Sequence, residues 1–169
     1  VSTLCSILEA LLTKKNVGGQ DKDTYEAFFQ FSAVWAFGGC FGADKANDFR
    51  KQFSEWWRAE WGKTSFKFPD DGLVFDYFID KGKEKVEGRH WKEAVPGYTH
   101  ATGEGASFSS IVVPTVDTKR YSFIFERSVD VMRPVLFTGH SGVGKSVVIA
   151  DTMQRLVEGG EWTRVDLSF

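Results

Sequence analysis

Cysteine and histidine are scarce in this sequence, and each shortage removes a class of protein. The two cysteines among 169 residues, Cys5 and Cys40, are too few for a disulfide framework and indicate a reducing interior. The three histidines, at positions 90, 100 and 140, lack the spacing of metal ligands. We therefore expect neither a disulfide-stabilised scaffold nor a histidine metal centre.

An excess of charge and a long apolar run are also lacking. The formal net charge is −2, which provides no basic field for nucleic acid. The most apolar run, residues 27–41, is interrupted by Gln30 and Ser32. It is shorter than the roughly 20 residues that span a bilayer, and no signal peptide is visible. The run is predicted to be a buried helix, and neither nucleic acid nor a membrane is an expected partner.

One motif is complete. Residues 139–146 read GHSGVGKS and fit the phosphate-loop pattern G-x-x-x-x-G-K-S. The preceding segment, PVLFT at 134–138, is predicted to be a short strand. Residues 146–158 are predicted to be a helix with one buried face, made of Val148, Ile149, Thr152, Met153, Leu156 and Val157. Strand, glycine loop and helix form the context that the motif requires.

The loop predicts binding of ATP or ADP with Mg²⁺. Its backbone N–H groups and the following helix N-terminus would hold phosphate oxygens, while glycines permit the required backbone angles. The ammonium group would reach the β- and γ-phosphates, and the last hydroxyl would coordinate Mg²⁺. The predicted phosphate-binding residues are Gly139, His140, Ser141, Gly142, Val143, Gly144, Lys145 and Ser146, with Ser146 also the metal ligand.

No catalytic residue is predicted. Phosphoryl transfer at such a site needs an acidic residue at the end of a later strand. Residues 162–169 are predicted to be the next strand, and its single acidic residue, Asp166, is interpreted as facing solvent or anchoring a loop. Both chain ends are interpreted as cuts, and we expect that this segment does not hydrolyse ATP alone.

The first 61 residues predict three helices. The first carries leucines on one face and is expected to stop at Gly18–Gly19. The second begins at Asp21 or Asp23 and closes at Gly38–Gly39. The third begins at Asp44 and continues to about Trp61, with charged residues, among them Arg58, on its outer face. The aromatic residues of the last two helices are interpreted as core rather than as a ligand cage.

The middle of the chain predicts extended structure. Residues 69–72, PDDG, are typical of a turn. We expect an extended segment over residues 73–79, a solvated loop over 81–89 and a strand over 108–113. A helix capped by Asp117 or Thr118 then runs to about Asp130.

Several segments resemble the region between the second and third AAA+ modules of dynein heavy chains. Residues 68–77 read FPDDGLVFDY and match a signature of the form FP..G.VFDY. The same order of motifs includes WAFGG at 35–39, FSEWW at 53–57 and VPTVDTKRY at 113–121. The phosphate loop departs from the commoner wording, with His140 in place of proline and Val143 in place of threonine, but keeps its glycines, lysine and hydroxyl.

This resemblance implies an α/β fold, in which the helical small subdomain of one AAA+ module precedes the start of a P-loop large subdomain. Residues 1–66 would belong to the second module, residues 67–110 would connect to the third, and residues 111–169 would begin its truncated P-loop subdomain. The third-module site is regulatory in that family. Its adenine side would be lined by Val112, Val113, Pro114 and Thr115.

The implied activity is that of a microtubule motor ATPase, with axonemal members favoured. Implied partners are the neighbouring AAA+ modules and, through the parent protein, microtubules and dynein intermediate and light chains. The implied location is the cytoplasm and cytoskeleton, with the ciliary axoneme preferred. A module that keeps its nucleotide without hydrolysing it is the first alternative. An unrelated P-loop enzyme is the second, and it leaves the helical first half unexplained.

Overall fold

The three helices predicted for the first half are present. A computed structural model describes residues 1–17, 22–82, 85–97, 113–160 and 162–167. It contains helices α1 (Ser2–Leu11), α2 (Lys22–Gly38) and α3 (Phe49–Glu60), a 3₁₀ turn (Val74–Asp76), strands β1 (Tyr77–Lys81) and β2 (Val86–His90), and helices α4 (Trp91–Ala94), α5 (Val116–Asp130) and α6 (Lys145–Glu158).

The chain divides into two units, unit 1 (Val1–Glu93) and unit 2 (Ala94–Phe169). Residues 67–93 therefore group with the preceding helices. The division at residues 66 and 67 concerns module boundaries and stays a prediction.

Helix α2 is the centre of unit 1. Its buried apolar residues include consecutive positions, as expected of a helix that is buried on most sides; they are Ala27, Phe28, Phe31, Ala33, Val34 and Trp35. Helix α1 packs against α2 and buries Ile7, Ala10 and Leu11. The core prediction holds for Phe28, Phe31 and Trp35 of α2 and for Trp57 of α3, whereas Phe49 and Trp56 of α3 are 41 % and 52 % exposed.

The predicted ends of two helices are wrong. Helix α1 ends at Leu11 rather than at Gly18–Gly19, which lie outside the described residues, because Asn16 Nδ2 donates to the terminal Leu11 carbonyl at 2.8 Å. Helix α3 begins at Phe49 with Asp48 as its cap. The Asp44 carboxylate instead accepts from the N–H groups of the next turn, which lowers the Asp44 pKa and gives the backbone an alternative to helix.

Gln30 joins three segments of unit 1 from inside the core. It is 1 % exposed, and its Nε2 lies 3.0 Å from both Thr64 Oγ1 and the Phe66 carbonyl oxygen. Its Oε1 accepts from Trp57 Nε1 on α3 at 3.3 Å. Glu26 Oε1 accepts from the Phe66 N–H at 2.9 Å. The polar interruption of the apolar run is therefore a buried connection between α2, α3 and residues 64–66.

Arg58 holds the PDDG turn. The sequence predicts this residue on the charged outer face of α3, and its guanidinium donates to the carbonyls of Pro69 at 2.6 Å and Gly72 at 2.9 Å. Gly72 has φ +61°, as the predicted turn requires. The Tyr77 hydroxyl donates to the Asp71 carbonyl at 2.6 Å. Burial and the neighbouring Asp71 charge raise the Tyr77 pKa.

The segment after this turn forms a β-hairpin. Residues 73–79 are only partly extended, since the 3₁₀ turn precedes β1. The loop predicted at 81–89 is wrong: β2 pairs antiparallel with β1, from Tyr77 opposite His90 to Lys81 opposite Val86. The residues of β2 do not alternate between apolar and polar, so this strand depends on its pairing with β1. Arg89 binds Asp80 across the hairpin at 2.9 Å and Glu93 at 2.7 Å, which lowers the Glu93 pKa.

Unit 2 contains the helices predicted on either side of the loop. Helices α5 and α6 pack together, and Thr152 Oγ1 of α6 lies 2.8 Å from Ser122 Oγ of α5. An ion pair joins Arg155 to Glu126 at 2.6 Å. The predicted cap of α5 is wrong, because Thr115 is the cap and accepts from the Thr118 N–H at 3.1 Å.

Three predicted strands of unit 2 are not found as such. Residues 134–138 and 162–167 carry no strand in the described structure, and of the predicted strand 108–113 the structure describes Val113 alone, without strand structure. A strand exists only as part of a hydrogen-bonded ladder, and no described segment forms one with residues 134–138. Leu136 is 86 % exposed, while Phe137 contacts Phe125 of α5 edge to face at 5.5 Å.

Candidate nucleotide site

The phosphate loop adopts the backbone conformation that its glycines permit. Gly139, Gly142 and Gly144 have φ values of +151°, +79° and +85°, a region that side chains with a Cβ rarely occupy. Among the described residues, Met132 is the single non-glycine residue with a positive φ. The three glycines are therefore required by the shape of the loop, as the motif predicted.

Helix α6 begins directly at the loop. Gly144 is its N-cap and provides no side-chain cap. The N–H groups of the first turn, at Lys145, Ser146 and Val147, have no acceptor within the helix by geometry. Together with the helix dipole they form a partial positive charge at the loop, which favours an anion.

The lysine ammonium lies over the loop itself. Lys145 Nζ donates to the carbonyl of Gly139 at 3.0 Å and to that of His140 at 2.5 Å. An ammonium group has three donors, so it also has capacity for phosphate oxygens. The charge is thus already placed beside the glycine backbone.

The remaining loop side chains lie at the surface. His140, Ser141, Val143 and Ser146 are exposed, so the Ser146 hydroxyl at the second position of α6 is accessible to a cation. Positive-φ glycines, uncapped N–H groups, an ammonium and an accessible hydroxyl fit a nucleotide di- or triphosphate with Mg²⁺.

The predicted adenine-side residues lie at the start of α5. Val113 is 50 % exposed, and Pro114 precedes the capping residue Thr115. The Thr115 hydroxyl is engaged with the α5 backbone, so its apolar methyl group and backbone are what it offers a ligand. Val112 lies outside the described residues. The role of these four residues in binding a base stays a prediction.

Asp166 faces solvent. Its carboxylate pairs with Arg164 at 2.8 Å and its side chain is 69 % exposed. This placement agrees with the interpretation of Asp166 as a solvent-facing residue.

A cavity of about 600 Å³ lies elsewhere, in unit 1 beside β2, and contains none of the loop residues. Its lining includes Asp23, Phe66, Lys67 and Lys85.

Within the described ranges, no helix is long and apolar enough to cross a membrane, and no cluster of His, Cys, Asp and Glu side chains is arranged to hold a metal.

Two family models cover almost the whole chain in order. Residues 1–93 match the dynein heavy chain AAA lid domain, and residues 101–169 match the P-loop containing dynein motor region. The chain belongs to the dynein heavy chain family. The predicted fold class, a helical AAA+ lid followed by an α/β P-loop region, is confirmed. Nucleotide binding follows from membership of the P-loop region, and an unrelated P-loop enzyme is excluded.

Similar proteins are dyneins of cilia and flagella. The chain is 38 % identical to a ciliary dynein beta chain of Heliocidaris crassispina over 94 % of its length. It is 36 % identical to the flagellar outer arm dynein beta chain of Chlamydomonas reinhardtii over 91 %, and 34 % identical to dynein axonemal heavy chain 11 of Sus scrofa over 100 %. It spans only 3–4 % of the length of these dynein heavy chains.

Proposed function

We propose that the chain is the ATP-binding segment of an axonemal dynein heavy chain, a minus-end-directed microtubule motor of cilia and flagella. In this proposal, residues 1–66 are the small subdomain of the second AAA+ module, residues 67–110 lead into the third, and residues 111–169 belong to its P-loop subdomain. The order of the matched regions, lid before P-loop, supports this assignment, since the lid then belongs to the module preceding the loop. The nucleotide site is regulatory.

The loop conformation is the observation that carries the proposal. Residues 139–146 hold the phosphates of ATP or ADP through backbone N–H groups and the Lys145 ammonium, and residues 112–115 contact the adenine. Ser146 is the protein ligand of Mg²⁺, which would neutralise charge on the terminal phosphates. The positive-φ glycines and the position of the Lys145 ammonium support the phosphate roles, and the location of residues 113–115 directly before α5 supports theirs.

Lys145→Ala in the full-length heavy chain tests the proposal. We expect the site to lose its nucleotide while the fold stays assembled, because the substitution removes the only ammonium at the loop among the described residues. Radiolabelled ATP retained at this module of the purified chain measures binding, and circular dichroism checks the fold. Lys92→Ala, which removes an exposed lysine of unit 1, is the matched control. Equal retention by the Lys145→Ala and Lys92→Ala chains would contradict the assigned role.

The segment of 169 residues is proposed to bind nucleotide without turning it over. Asp166, the acidic residue of the described segment 162–167, is paired with Arg164 and exposed. A purified preparation of these residues should therefore show no appreciable magnesium-dependent ATPase activity. Sustained phosphate release that Lys145→Ala abolishes would refute this.

The proposed partners follow from the family. Neighbouring AAA+ modules contact this segment directly, while microtubules and the intermediate and light chains bind other parts of the parent protein. The proposed location is the cytoplasm and cytoskeleton, within the axoneme. The ciliary, flagellar and axonemal names of the relatives support this location.

A further inference from the structure

Two buried hydroxyl groups connect the helices of the nucleotide site. Thr152 of α6 is fully buried and Ser122 of α5 is 4 % exposed. Thr152 Oγ1 lies 2.8 Å from Ser122 Oγ and 2.8 Å from the Val148 carbonyl oxygen. A single hydroxyl hydrogen cannot serve both contacts, so the Ser122 hydroxyl supplies the second. Arg155 Nη2, also of α6, lies 3.2 Å from Thr152 Oγ1, so the Ser122–Thr152 contact is the one that requires the present spacing of the two helices.

Each residue of the pair lies the same number of positions after a residue of the proposed site on its own helix. Thr152 follows Lys145 by seven residues, and Ser122 follows Thr115 by seven residues. Seven residues are about two helical turns, or about 10.5 Å. The same hydroxyl pair therefore fixes the N-terminus of α6, which carries the phosphate loop, relative to the N-terminus of α5, which carries the adenine-side residues.

Backbone contacts extend this connection to the loop. The Val148 N–H donates to the carbonyl of Gly144 at 3.0 Å, and the Val148 carbonyl faces the Thr152 hydroxyl. The nearby Arg155–Glu126 ion pair is partly exposed and contributes less, because solvent screens it. A buried polar contact has a narrow range of geometries and is costly to leave unmade, so the hydroxyl pair is the more demanding constraint.

We propose that Ser122 and Thr152 are positioning residues that couple the adenine-side segment to the phosphate loop. The inference rests on the proposed nucleotide site. It assigns binding of the phosphates and positioning of the base to different residues of that site. The loop and Lys145 bind the phosphates by themselves. The hydroxyl pair sets the separation at which one ligand contacts both the loop and residues 113–115, and it matters only for ligands that carry a base.

Two ligands separate this role from general stability. Hydrogen exchange of the peptide covering residues 137–147, measured by mass spectrometry in the full-length heavy chain, reports binding at this loop alone. The chain is titrated with ATP and, separately, with inorganic tripolyphosphate, each with Mg²⁺. We expect Ser122→Ala and Thr152→Val to raise the apparent Kd for ATP about tenfold, within the range of couplings transmitted through packed helices. The Kd for tripolyphosphate should change less than about twofold.

The chain offers a matched control on the same helix. Ser128 is also a buried serine of α5, but its hydroxyl donates to Ile124 of its own helix. Ser128→Ala should leave both affinities unchanged, and Thr152→Ser, which keeps the hydroxyl, should restore ATP binding to within about twofold of the parent.

Other results of these titrations would contradict the inference or the proposed function. Equal weakening of ATP and tripolyphosphate, or an effect of Ser128→Ala equal to that of Ser122→Ala, would show a general loss of stability and overturn the inference. Unchanged ATP affinity in Ser122→Ala and Thr152→Val would overturn it as well, while leaving the nucleotide site intact. If ATP fails to protect the loop in the parent chain, the proposed function itself fails.

Discussion

Replacing Gln30 by methionine should destabilise unit 1 strongly, although the new side chain is apolar and enters an apolar core. Methionine has a similar length and flexibility but provides neither the donor nor the acceptor of the amide. The substitution therefore tests whether the buried amide, rather than the apolar surface around it, holds α2, α3 and residues 64–66 together.

The structure indicates the size of the effect. Trp57 Nε1 would lose Gln30 Oε1, its acceptor at 3.3 Å. The Phe66 carbonyl would have the Thr64 hydroxyl at 2.8 Å as its donor, which it shares with the Trp61 carbonyl at 2.6 Å. A buried donor without a partner costs about 1–3 kcal/mol and the lost hydrogen bonds about 1 kcal/mol more. The free energy of unfolding should fall by about 2–4 kcal/mol.

Tryptophan fluorescence in a urea titration measures this change because it reports the unfolding of unit 1. Five of the six tryptophans, at positions 35, 56, 57, 61 and 91, lie in unit 1. The urea midpoint should fall by about 1–2 M, since ΔG changes by about 1–3 kcal/mol per molar urea. Gln52→Met, on the exposed face of α3, is the control and should stay within about 0.5 kcal/mol of the parent. Equal midpoints for the two variants would refute the role of the buried amide.

Three further predictions concern unit 1 and use the same titration. Gly38→Ala should lower stability by about 1–3 kcal/mol through overpacking, because its Cβ would lie 2.6 Å from Cζ of the buried Phe75 ring; a more stable variant would mean that helix propensity prevails. Arg58→Ala should cost about 1–2 kcal/mol, since water replaces part of the lost bonds to the turn carbonyls, and an unchanged midpoint would show that the turn forms without it. The Tyr77 pKa is raised by burial, so the neutral phenol stabilises the fold below its unfolded pKa of about 10 and this contribution is lost as pH rises through the folded pKa. Tyr77→Phe should therefore lose less stability than the parent between about pH 9 and 12, and identical losses would contradict the assignment.

The phosphate loop shows what local sequence determines. Glycine at 139, 142 and 144 permits the positive φ values observed there, and these are properties of single residues rather than of their neighbours. The existence of α5 and α6 also follows from apolar periodicity, and that of α2 from an apolar run between helix-capping signals. Helix starts were less predictable, because Asp44 and Asp48 are both good caps and Thr115 competes with two other candidates. Which cap is used depends on where the next helix packs.

Tertiary structure decided the features that depend on partners distant in the sequence. Gln30 appeared only as a polar break in an apolar run, and its function as a connection required Trp57, Thr64 and Phe66 to surround it. Arg58 appeared as one of several charged residues on the outer face of α3, and its bonds to the PDDG turn exist only because that turn lies against the helix. The β2 strand and the Ser122–Thr152 pair likewise exist only because another element lies opposite. The sequence by itself determined the phosphate-binding loop and the family to which the chain belongs, since both depend on short runs of contiguous residues. Packing determined which polar groups hold the helices of each unit together, because a hydrogen bond across 27 to 36 residues leaves no local pattern.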